Sequence, residues 1–346
     1  MPIFAGPKHR LNLALQGGGA HGAFTWGVLD ALLEDGRLDF EGVSGTSAGA
    51  MNAVLLAQGL MDGGADGARA ALRRFWTAVA AAVPEAMTRS SADGQSVGLA
   101  PMVQLLLHWT HYLSPQQINP FDLNPLRDII EAQVDFARLR RASPLKLFIA
   151  ATRANSGKLR IFRTEELSCE ALLASACLPS IQRAVEIDGE PYWDGGYTAN
   201  PAVFPLFYEC RSRDLLLVLL SPLRHRGRLS SAQDIQARVM EIAFSAGFLR
   251  EMRMFAQLRR QLVQRRGWLG LPLLGRFEHR VRHSRFHLIE AADVLGDFSA
   301  QTKLAVNLKF FEHLMLQGRA RGRAWLDVHF AAVGRRSTVD LEALFA

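Results

Sequence analysis

The N-terminal part of the chain alternates short apolar runs with stretches of helical periodicity. Residues 11–15 form an apolar run that ends at three glycines, and residues 20–34 then show helical spacing of apolar side chains. Residues 40–44 form a second short run, followed by a small-residue turn and an apolar helix over 50–59 that Gly59 ends. Two consecutive strand–turn–helix units predict a parallel sheet covered by helices.

The middle of the chain is more irregular. Residues 62–125 alternate Ala-rich helical stretches with Gly, Ser and Pro segments, which predicts a surface excursion or a lid. Residues 145–152 and 159–162 flank an Asn-Ser-Gly turn and predict a hairpin, and a helix over 166–177 is expected to stop at Pro179. A turn over 192–196 follows a short strand, and residues 215–220 predict a buried strand.

The pattern changes after this strand. Residues 234–266 predict a long basic helix whose apolar side chains cover more than half of its circumference. So wide an apolar face favours packing on the preceding part of the chain or on a second subunit, and a membrane-facing role is the alternative. The segment 268–274, which contains Trp, Leu, Gly and Pro between arginines, is typical of an interfacial wedge. Further helices are expected up to the C-terminus.

Composition excludes several classes of protein. With 49% hydrophobic and 21% charged residues among 346, the chain is too apolar to be disordered. Its three cysteines show no CxxC or Cys/His pattern, so we expect neither a disulfide framework nor a zinc site. The N-terminus lacks an apolar segment after its charges, and the chain has no window of 18 uncharged apolar residues. We expect a cytoplasmic protein, with peripheral membrane contact left open.

Positive charge is concentrated in the C-terminal part. Residues 224–285 carry 14 basic and 4 acidic side chains, whereas residues 1–200 are slightly acidic. Such a patch suits an anionic membrane surface or nucleic acid. Nucleic acid is disfavoured because aromatic residues are not interleaved with the basic ones and no binding-fold signature is present. We therefore expect peripheral contact of residues 234–285 with an anionic membrane, with a homo-oligomer as the other option.

Gly45-Thr46-Ser47-Ala48-Gly49 fits a nucleophile elbow. Small residues let a strand turn sharply into a helix and leave the serine hydroxyl exposed. The amide of Ala48 would then point at a developing oxyanion. The position of the match between a predicted strand and a predicted helix favours this interpretation over an ordinary turn.

Gly17-Gly18-Gly19-Ala20-His21-Gly22 satisfies the G-x-G-x-x-G pattern between a strand and a helix. Acidic residues lie about 20 positions downstream, at Asp39 and Glu41, so a dinucleotide site is one interpretation. The same glycines could instead offer amides to an oxyanion. The serine elbow on the next strand separates the two hypotheses, because a dinucleotide fold does not need it.

A serine nucleophile requires a base. The chain has ten histidines, but none follows Ser47 at an evident strand-end loop. Asp194, by contrast, stands in a tight turn after a strand and is followed by Gly195 and Gly196, which would not crowd its carboxylate. An Asp-Gly-Gly turn alone is weak support for a catalytic role.

The three motifs in this order resemble the patatin-like phospholipase family. Residues 13–22 match its glycine-rich block, Gly45–Gly49 its serine elbow and Asp194-Gly195-Gly196 its aspartate block, and the Ala-Ser segment at 174–179 and Asn200-Pro201 agree with it. The likeness covers residues 11–205. The family commonly has Arg or Lys where this chain has His21.

The resemblance implies a three-layer α/β/α fold with a mostly parallel central sheet, a catalytic domain over 11–205 and a helical C-terminal extension over 206–346, with the strand 215–220 in the same sheet. It implies a serine acyl-ester hydrolase with a Ser47–Asp194 dyad and an oxyanion hole from Gly17, Gly18, Gly19 and Ala48. The substrate would be a phospholipid, lysophospholipid or acylglycerol, and no metal or organic cofactor is expected. A catalytically silent lipid-binding protein and a dinucleotide-dependent enzyme remain the alternatives.

Overall fold

A computed structural model describes residues 8–91, 93–109, 113–224, 230–264, 275–296 and 298–346. The strands in these ranges are His9–Leu15 (β1), Leu38–Thr46 (β2), Thr88–Ser90 (β3), Val97–Leu99 (β4), Lys146–Arg153 (β5), Leu159–Arg163 (β6), Val185–Ile187 (β7), Glu190–Asp194 (β8), Asp214–Leu219 (β9) and Arg285–Glu290 (β10). The α-helices are Gly22–Asp35 (α1), Ala48–Ala81 (α2), Pro101–Trp109 (α3), Pro115–Ile118 (α4), Pro125–Gln133 (α5), Phe136–Ala142 (α6), Cys169–Ser175 (α7), Phe204–Glu209 (α8), Ala232–Gln264 (α9), Arg276–His283 (α10), Ala292–Leu295 (α11), Leu308–His329 (α12) and Leu341–Phe345 (α13). No helix in these ranges is both long enough and apolar enough to cross a membrane.

The main sheet has the strand order β10-β9-β1-β2-β5-β8-β7, with β6 also paired to β5. The neighbours from β10 to β5 are parallel, while β6 and β8 run antiparallel to β5. Helices pack on both faces, where two separate hydrophobic clusters form the core. The prediction of a three-layer α/β/α fold with a mostly parallel sheet is therefore confirmed.

Strand β1 shows why the sheet lies between two cores. Its side chains alternate in direction, as in any strand. Leu11, Leu13 and Leu15 join the cluster that contains α1 and α2, whereas Ala14 joins the opposite cluster. Hydrophobic side chains on both faces are typical of a parallel strand covered on both sides.

The helix after the serine elbow is longer than its sequence pattern suggests. Helix α2 runs to Ala81, and Gly59 does not end it; the helical path is broken instead at Gly63 and Gly64, where Gly64 has φ +61°. Beyond this kink the side chains of Leu72 and Trp76 are buried. The prediction of a surface excursion is therefore wrong for the part of 62–125 that belongs to α2, because these apolar side chains enter the core.

The C-terminal part of the chain is built into the same sheet. Strand β9 pairs with β1, and β10 extends the sheet beyond β9. Helix α12 lies so close to α1 that a Cβ at Gly27 would come within 1.9 Å of the Met315 carbonyl oxygen, and one at Gly318 within 2.0 Å of the Phe24 carbonyl oxygen. Glycine is therefore required at both positions of this helix–helix contact.

The long basic helix packs by one side. Helix α9 buries Phe248, Met252 and Phe255 in the second hydrophobic cluster. Other apolar side chains stay exposed, namely Ile235, Val239, Met240, Ile242, Met254 and Val263. The segment 268–274, predicted as an interfacial wedge, lies entirely within residues 265–274, outside the described residues.

Candidate active site

Ser47 lies at a sharp turn between a strand and a helix. Strand β2 ends at Thr46, α2 begins at Ala48, and Ser47 between them has φ +53° and ψ −122°. A side chain in the left-handed φ region is strained, and such strain is concentrated at functional sites. The flanking glycines are sterically required, since a Cβ at Gly45 would come within 2.5 Å of the Gly49 carbonyl oxygen.

Asp194 ends β8 and reaches the same point from the other side of β5. Thr46 pairs with Ala150 and Asp194 with Ala151, so the two strand ends lie at adjacent positions on β5. The Asp194 side chain is buried, with 1% of the residue exposed, and its Oδ1 accepts from the Gly196 amide at 2.7 Å. The Ser47 hydroxyl is near enough to this carboxyl group to stabilise its charged form.

The environment of Asp194 changes its acidity. Burial raises the pKa of the carboxyl group to about 7, even though the Gly196 amide and the Ser47 hydroxyl both stabilise the carboxylate. A carboxyl group with such a pKa exchanges its proton near neutral pH. A serine hydroxyl beside such a carboxyl group is an arrangement in which a nucleophile and a general base can work together.

The glycine-rich loop follows β1 and touches the elbow. A Cβ at Gly17 would come within 2.9 Å of the Ser47 Cβ, so only glycine fits beside the serine. The Gly17 amide donates to Asn200 Oδ1 at 2.7 Å and is therefore already satisfied. The role of Gly17 in an oxyanion hole stays a prediction, since Asn200 Oδ1 accepts the hydrogen of its amide in this structure. The amides of Gly18 and Gly19 precede the first turn of a 3-10 helix over Gly19–His21, and that of Ala48 begins α2, so none of them has an intrahelical acceptor.

A family model described as patatin-like phospholipase matches residues 13–207, which include the glycine loop, Ser47 and Asp194. The chain belongs to the patatin-like phospholipase family. Membership supports a lipid acyl hydrolase.

Two solved structures are similar to this patatin-like protein. VipD from Legionella pneumophila is 16% identical with a TM-score of 0.44, and the alignment covers 93% of this chain and 67% of VipD. ExoU from Pseudomonas aeruginosa, solved in complex with SpcU, is 14% identical with a TM-score of 0.29, covering 98% of this chain and 76% of ExoU. No curated protein sequence matches the chain. The family assignment therefore rests on the match over 13–207.

Two polar residues support the elbow in this patatin-like chain. Ser175, at the end of α7, accepts a hydrogen bond from the Ser47 amide on its Oγ at 2.9 Å. Asn200 holds the glycine loop through the Gly17 amide. Sequence analysis noted both residues within family-like segments but assigned them no contact, because the contacts join segments far apart in the chain.

The extension also reaches the aspartate turn, which sequence analysis did not foresee. Phe244 of α9 packs so closely on Gly196 that a Cβ there would come within 2.3 Å of its ring. The rings of Phe244 and Tyr197 lie 4.6 Å apart between centroids. Glu251 lies about two helical turns after Phe244 on α9. It accepts hydrogen bonds from the amides of Val203 and Phe204, which connect α9 to the start of α8.

Histidine takes no part in the contacts around Ser47 among the described residues. His21, which lies in the glycine motif, is buried and hydrogen-bonds through Nε2 to Thr302 Oγ1 at 2.8 Å. Burial, and to a smaller extent the nearby charge of Lys303, lower the pKa of His21 to about 3. His21 is thus a neutral, packed side chain.

The dinucleotide hypothesis does not fit the positions of its acidic residues. Asp39 pairs in register with Arg10 near the start of β1, whereas the glycine loop follows the other end of that strand. Glu41 accepts from the amides of Arg211 and Ser212. Neither carboxylate can contact a ribose bound at the glycine loop, because about five or six strand residues at ~3.3 Å each separate them from that end of the sheet. The described residues also contain no cluster of His, Cys, Asp and Glu that could hold a metal ion.

Proposed function

We propose that this protein hydrolyses acyl esters of lipids, with a phospholipid, lysophospholipid or acylglycerol as substrate. Ser47 would be the nucleophile and Asp194 the general base. The observation that carries the proposal is that a serine at a strained elbow and a buried carboxyl group with a pKa raised to about 7 lie at adjacent strand ends. Family membership supports the same class of reaction.

In the first half of the reaction, Ser47 Oγ attacks the ester carbonyl carbon while its proton passes to Asp194. The resulting oxyanion lies near the amides of Gly18, Gly19 and Ala48, which stabilise it without reorganisation. When the intermediate collapses, the bond to the alcohol breaks, and Asp194 returns the proton to the leaving oxygen. The acyl group stays on Ser47 as an ester.

In the second half, water attacks the acyl-enzyme and Asp194 accepts a proton from it. Collapse releases the fatty acid, and the proton returns to Ser47 Oγ. The same carboxyl group serves as base and acid in both halves. A pKa near the working pH suits this double role, because both protonation states are then well populated.

The proposal is tested by replacing Ser47 with alanine and measuring hydrolysis of a p-nitrophenyl acyl ester and labelling by a fluorophosphonate. We expect both to be abolished in a folded variant, since removing an activated nucleophile typically costs several powers of ten in rate. Ser44, a buried serine on the same strand, provides the matched control, and Ser44→Ala should keep both signals. Near-normal turnover by folded Ser47→Ala protein would refute the proposal.

The alternative, a catalytically silent lipid-binding protein, predicts a different result in the same assay. A lipid-binding protein without catalytic function would bind an acyl-ester analogue yet show neither turnover nor fluorophosphonate labelling in the wild type. Detection of the label on Ser47 by mass spectrometry separates the two.

We further propose that the outward face of α9 contacts an anionic membrane. Ile235, Val239 and Ile242 are exposed and spaced as neighbours along one side of the helix. Exposed arginines on the same helix, Arg250 and Arg253, provide a positive charge that suits anionic headgroups.

Vesicle binding tests this contact. Binding should be stronger to anionic than to neutral vesicles and weaken as salt rises. Ile235→Ser with Val239→Ser should weaken vesicle binding while sparing hydrolysis of a soluble ester. Equal binding to both vesicles at every salt concentration would refute the contact, and a monomer–dimer change in the double variant would instead assign this face to a second subunit.

A further inference from the structure

A 3-10 helix over Ala300–Leu304 lies directly on the glycine loop. A Cβ at Gly19 would come within 2.2 Å of the Lys303 carbonyl oxygen. The Thr302 hydroxyl donates to the Ser299 carbonyl oxygen, so the His21 Nε2–H must be the donor in their mutual hydrogen bond. These contacts fix the backbone of Lys303 beside the loop.

The ammonium group of Lys303 has no close partner among the described residues. It makes no hydrogen bond and no ion pair there, although its side chain is only partly accessible to solvent. Burial lowers its pKa, and attraction to the carboxylate of Glu241 offsets part of this effect. A largely desolvated cation without a bonded counter-charge is costly, so an anion that binds here would regain part of that cost.

The charge of Lys303 influences groups of both the glycine loop and α9. It acts on His21 of the loop and is attracted by Glu241 of α9. Glu241 precedes Phe244 by one helical turn, and Phe244 packs on Gly196 beside Asp194. The backbone of Lys303 itself touches the candidate active site at Gly19 of the glycine loop.

The lysine is nevertheless not placed at the reacting group. The pKa of Asp194 is governed by burial, the Gly196 amide and the Ser47 hydroxyl, and not by a neighbouring cation. A positive charge beside the loop but away from the base suits a part of the substrate that does not react. In a lipid ester, the anionic part of that kind is the phosphate of the headgroup.

We propose that Lys303 binds the phosphate group of a phospholipid or lysophospholipid, so that the C-terminal extension selects phosphate-bearing lipids over neutral acylglycerols. This inference rests on the proposed function and narrows its substrate class. A lysine contributes a compact charge with three donors, which suits a phosphate oxygen. The contact would add to binding and would not take part in proton transfer.

The kinetic test compares two monomeric substrates with the same hexanoyl chain, lysophosphatidic acid and monoacylglycerol, in wild type, Lys303→Met, Lys303→Arg and Lys309→Met. Lys309 is exposed on α12 and controls for the loss of one positive charge. We expect Lys303→Met to lower kcat/KM for the phosphate-bearing substrate about 10- to 100-fold, as for a lost charged hydrogen bond. For the neutral substrate, kcat/KM of Lys303→Met should change less than about threefold. Lys303→Arg should retain most of the preference for the phosphate-bearing substrate.

A binding test is independent of turnover. Ether-linked hexyl lysophosphatidic acid, which cannot be hydrolysed, and inorganic phosphate are titrated calorimetrically into Ser47→Ala protein with and without Lys303→Met. Failure of the proposed function would abolish wild-type hydrolysis but leave this measurement intact. We expect the ether lipid to bind at least tenfold more weakly to the Lys303→Met protein.

Four results would overturn the inference. An equal loss for both kinetic substrates, or a large fall in thermal stability in both Lys303 variants, would assign Lys303 a purely structural role. No loss of ether-lipid binding in Lys303→Met protein would show that the phosphate does not contact Lys303. Inorganic phosphate that binds as tightly as the ether lipid, and in a Lys303-dependent way, would identify free phosphate as the ligand.

Discussion

Residues 11–205 and the extension 206–346 contribute to the candidate site in different ways. In the first region, Ser47 and the glycine loop stand at the ends of their own strands, and short local motifs place them. In the extension, Phe244 and Lys303 reach the site from a helix and a 3-10 turn that carry no recognisable motif. Local backbone geometry therefore positions the proposed reacting groups, whereas the proposed surroundings of the substrate depend on packing between distant segments.

The largest effect is expected for the base in the first region. Asp194→Asn keeps the acceptor for the Gly196 amide but cannot take a proton, so kcat/KM should fall by about 10²- to 10⁴-fold. Steady-state kinetics on a soluble acyl ester measures this loss. His21→Asn, which changes a neutral side chain on the glycine loop, is the control and should lose far less.

A histidine variant with as large a loss in kcat/KM as Asp194→Asn would contradict the proposed mechanism. If His21→Asn, or any single His→Ala variant that stays folded, matched the defect of Asp194→Asn, a histidine would be the base. The local motif around Asp194 would then have only a structural role.

The sequence predicts the first region well because its signals are short-range. The alternation in β1, the small residues around Ser47 and the glycines after Asp194 are each determined by backbone geometry within a few residues. The kinked continuation of α2 is missed because tertiary burial of Leu72 and Trp76 overrides the helix-ending signal of Gly59. The bond from Gly17 to Asn200 is missed because nothing in either segment specifies the other.

A second large effect is expected where the extension joins the sheet. Asp214 at the start of β9 is buried and bonded to Arg285, to His287 at 3.0 Å and to the Gly334 amide at 2.9 Å. Asp214→Ala would remove the counter-charge of Arg285 and a hydrogen-bond partner of the buried His287 ring, and should cost about 3–5 kcal/mol of unfolding free energy. Denaturant unfolding measures it, with Asp39→Ala, which breaks the exposed pair with Arg10, as the control at about 0–1 kcal/mol.

The stabilisation that Asp214 provides should depend on pH in one direction. Burial alone would raise the pKa of Asp214, but the bonds from His287, Arg285 and Gly334 outweigh it and hold the pKa well below the usual 3.8. The stabilisation is therefore complete above the ordinary carboxyl pKa and is lost as pH falls below it. Wild type should lose its advantage over Asp214→Ala in acid. If Asp214→Ala and the control Asp39→Ala lost the same unfolding free energy at neutral pH, the contacts of Asp214 would not be a stabilising centre.

A smaller effect should connect the two regions directly. In Gly196→Ala the new Cβ would meet the Phe244 ring at 2.3 Å, so the aspartate turn or α9 must shift. Overpacking of this kind costs about 1–3 kcal/mol, which denaturant unfolding and kcat/KM would both register. Phe244→Ala should restore part of the loss in the double variant, since the two residues touch. Strictly additive effects would show that α9 does not press on the turn.

The smallest expected effect is a tenfold change in kcat/KM per pH unit. The pH profile of kcat/KM distinguishes control by the first region from control by the extension. Two buried carboxyl groups have raised pKa values: Asp194 at about 7 in the first region and Glu251 at about 8 in α9, where burial outweighs the amides of Phe204 and Val203. If Asp194 is the base, log kcat/KM should rise with unit slope below pH 7 and level off above it. Glu251→Gln still accepts from both amides and should leave this midpoint unchanged. If Glu251 controlled activity through α9, its ionisation above pH 8 would lower activity in wild type, and the Gln variant would lack that decline. A midpoint near 7 that is the same in both proteins would assign the titration to the elbow and its aspartate, whereas a midpoint that moves in Glu251→Gln would place control of the chemistry in the extension.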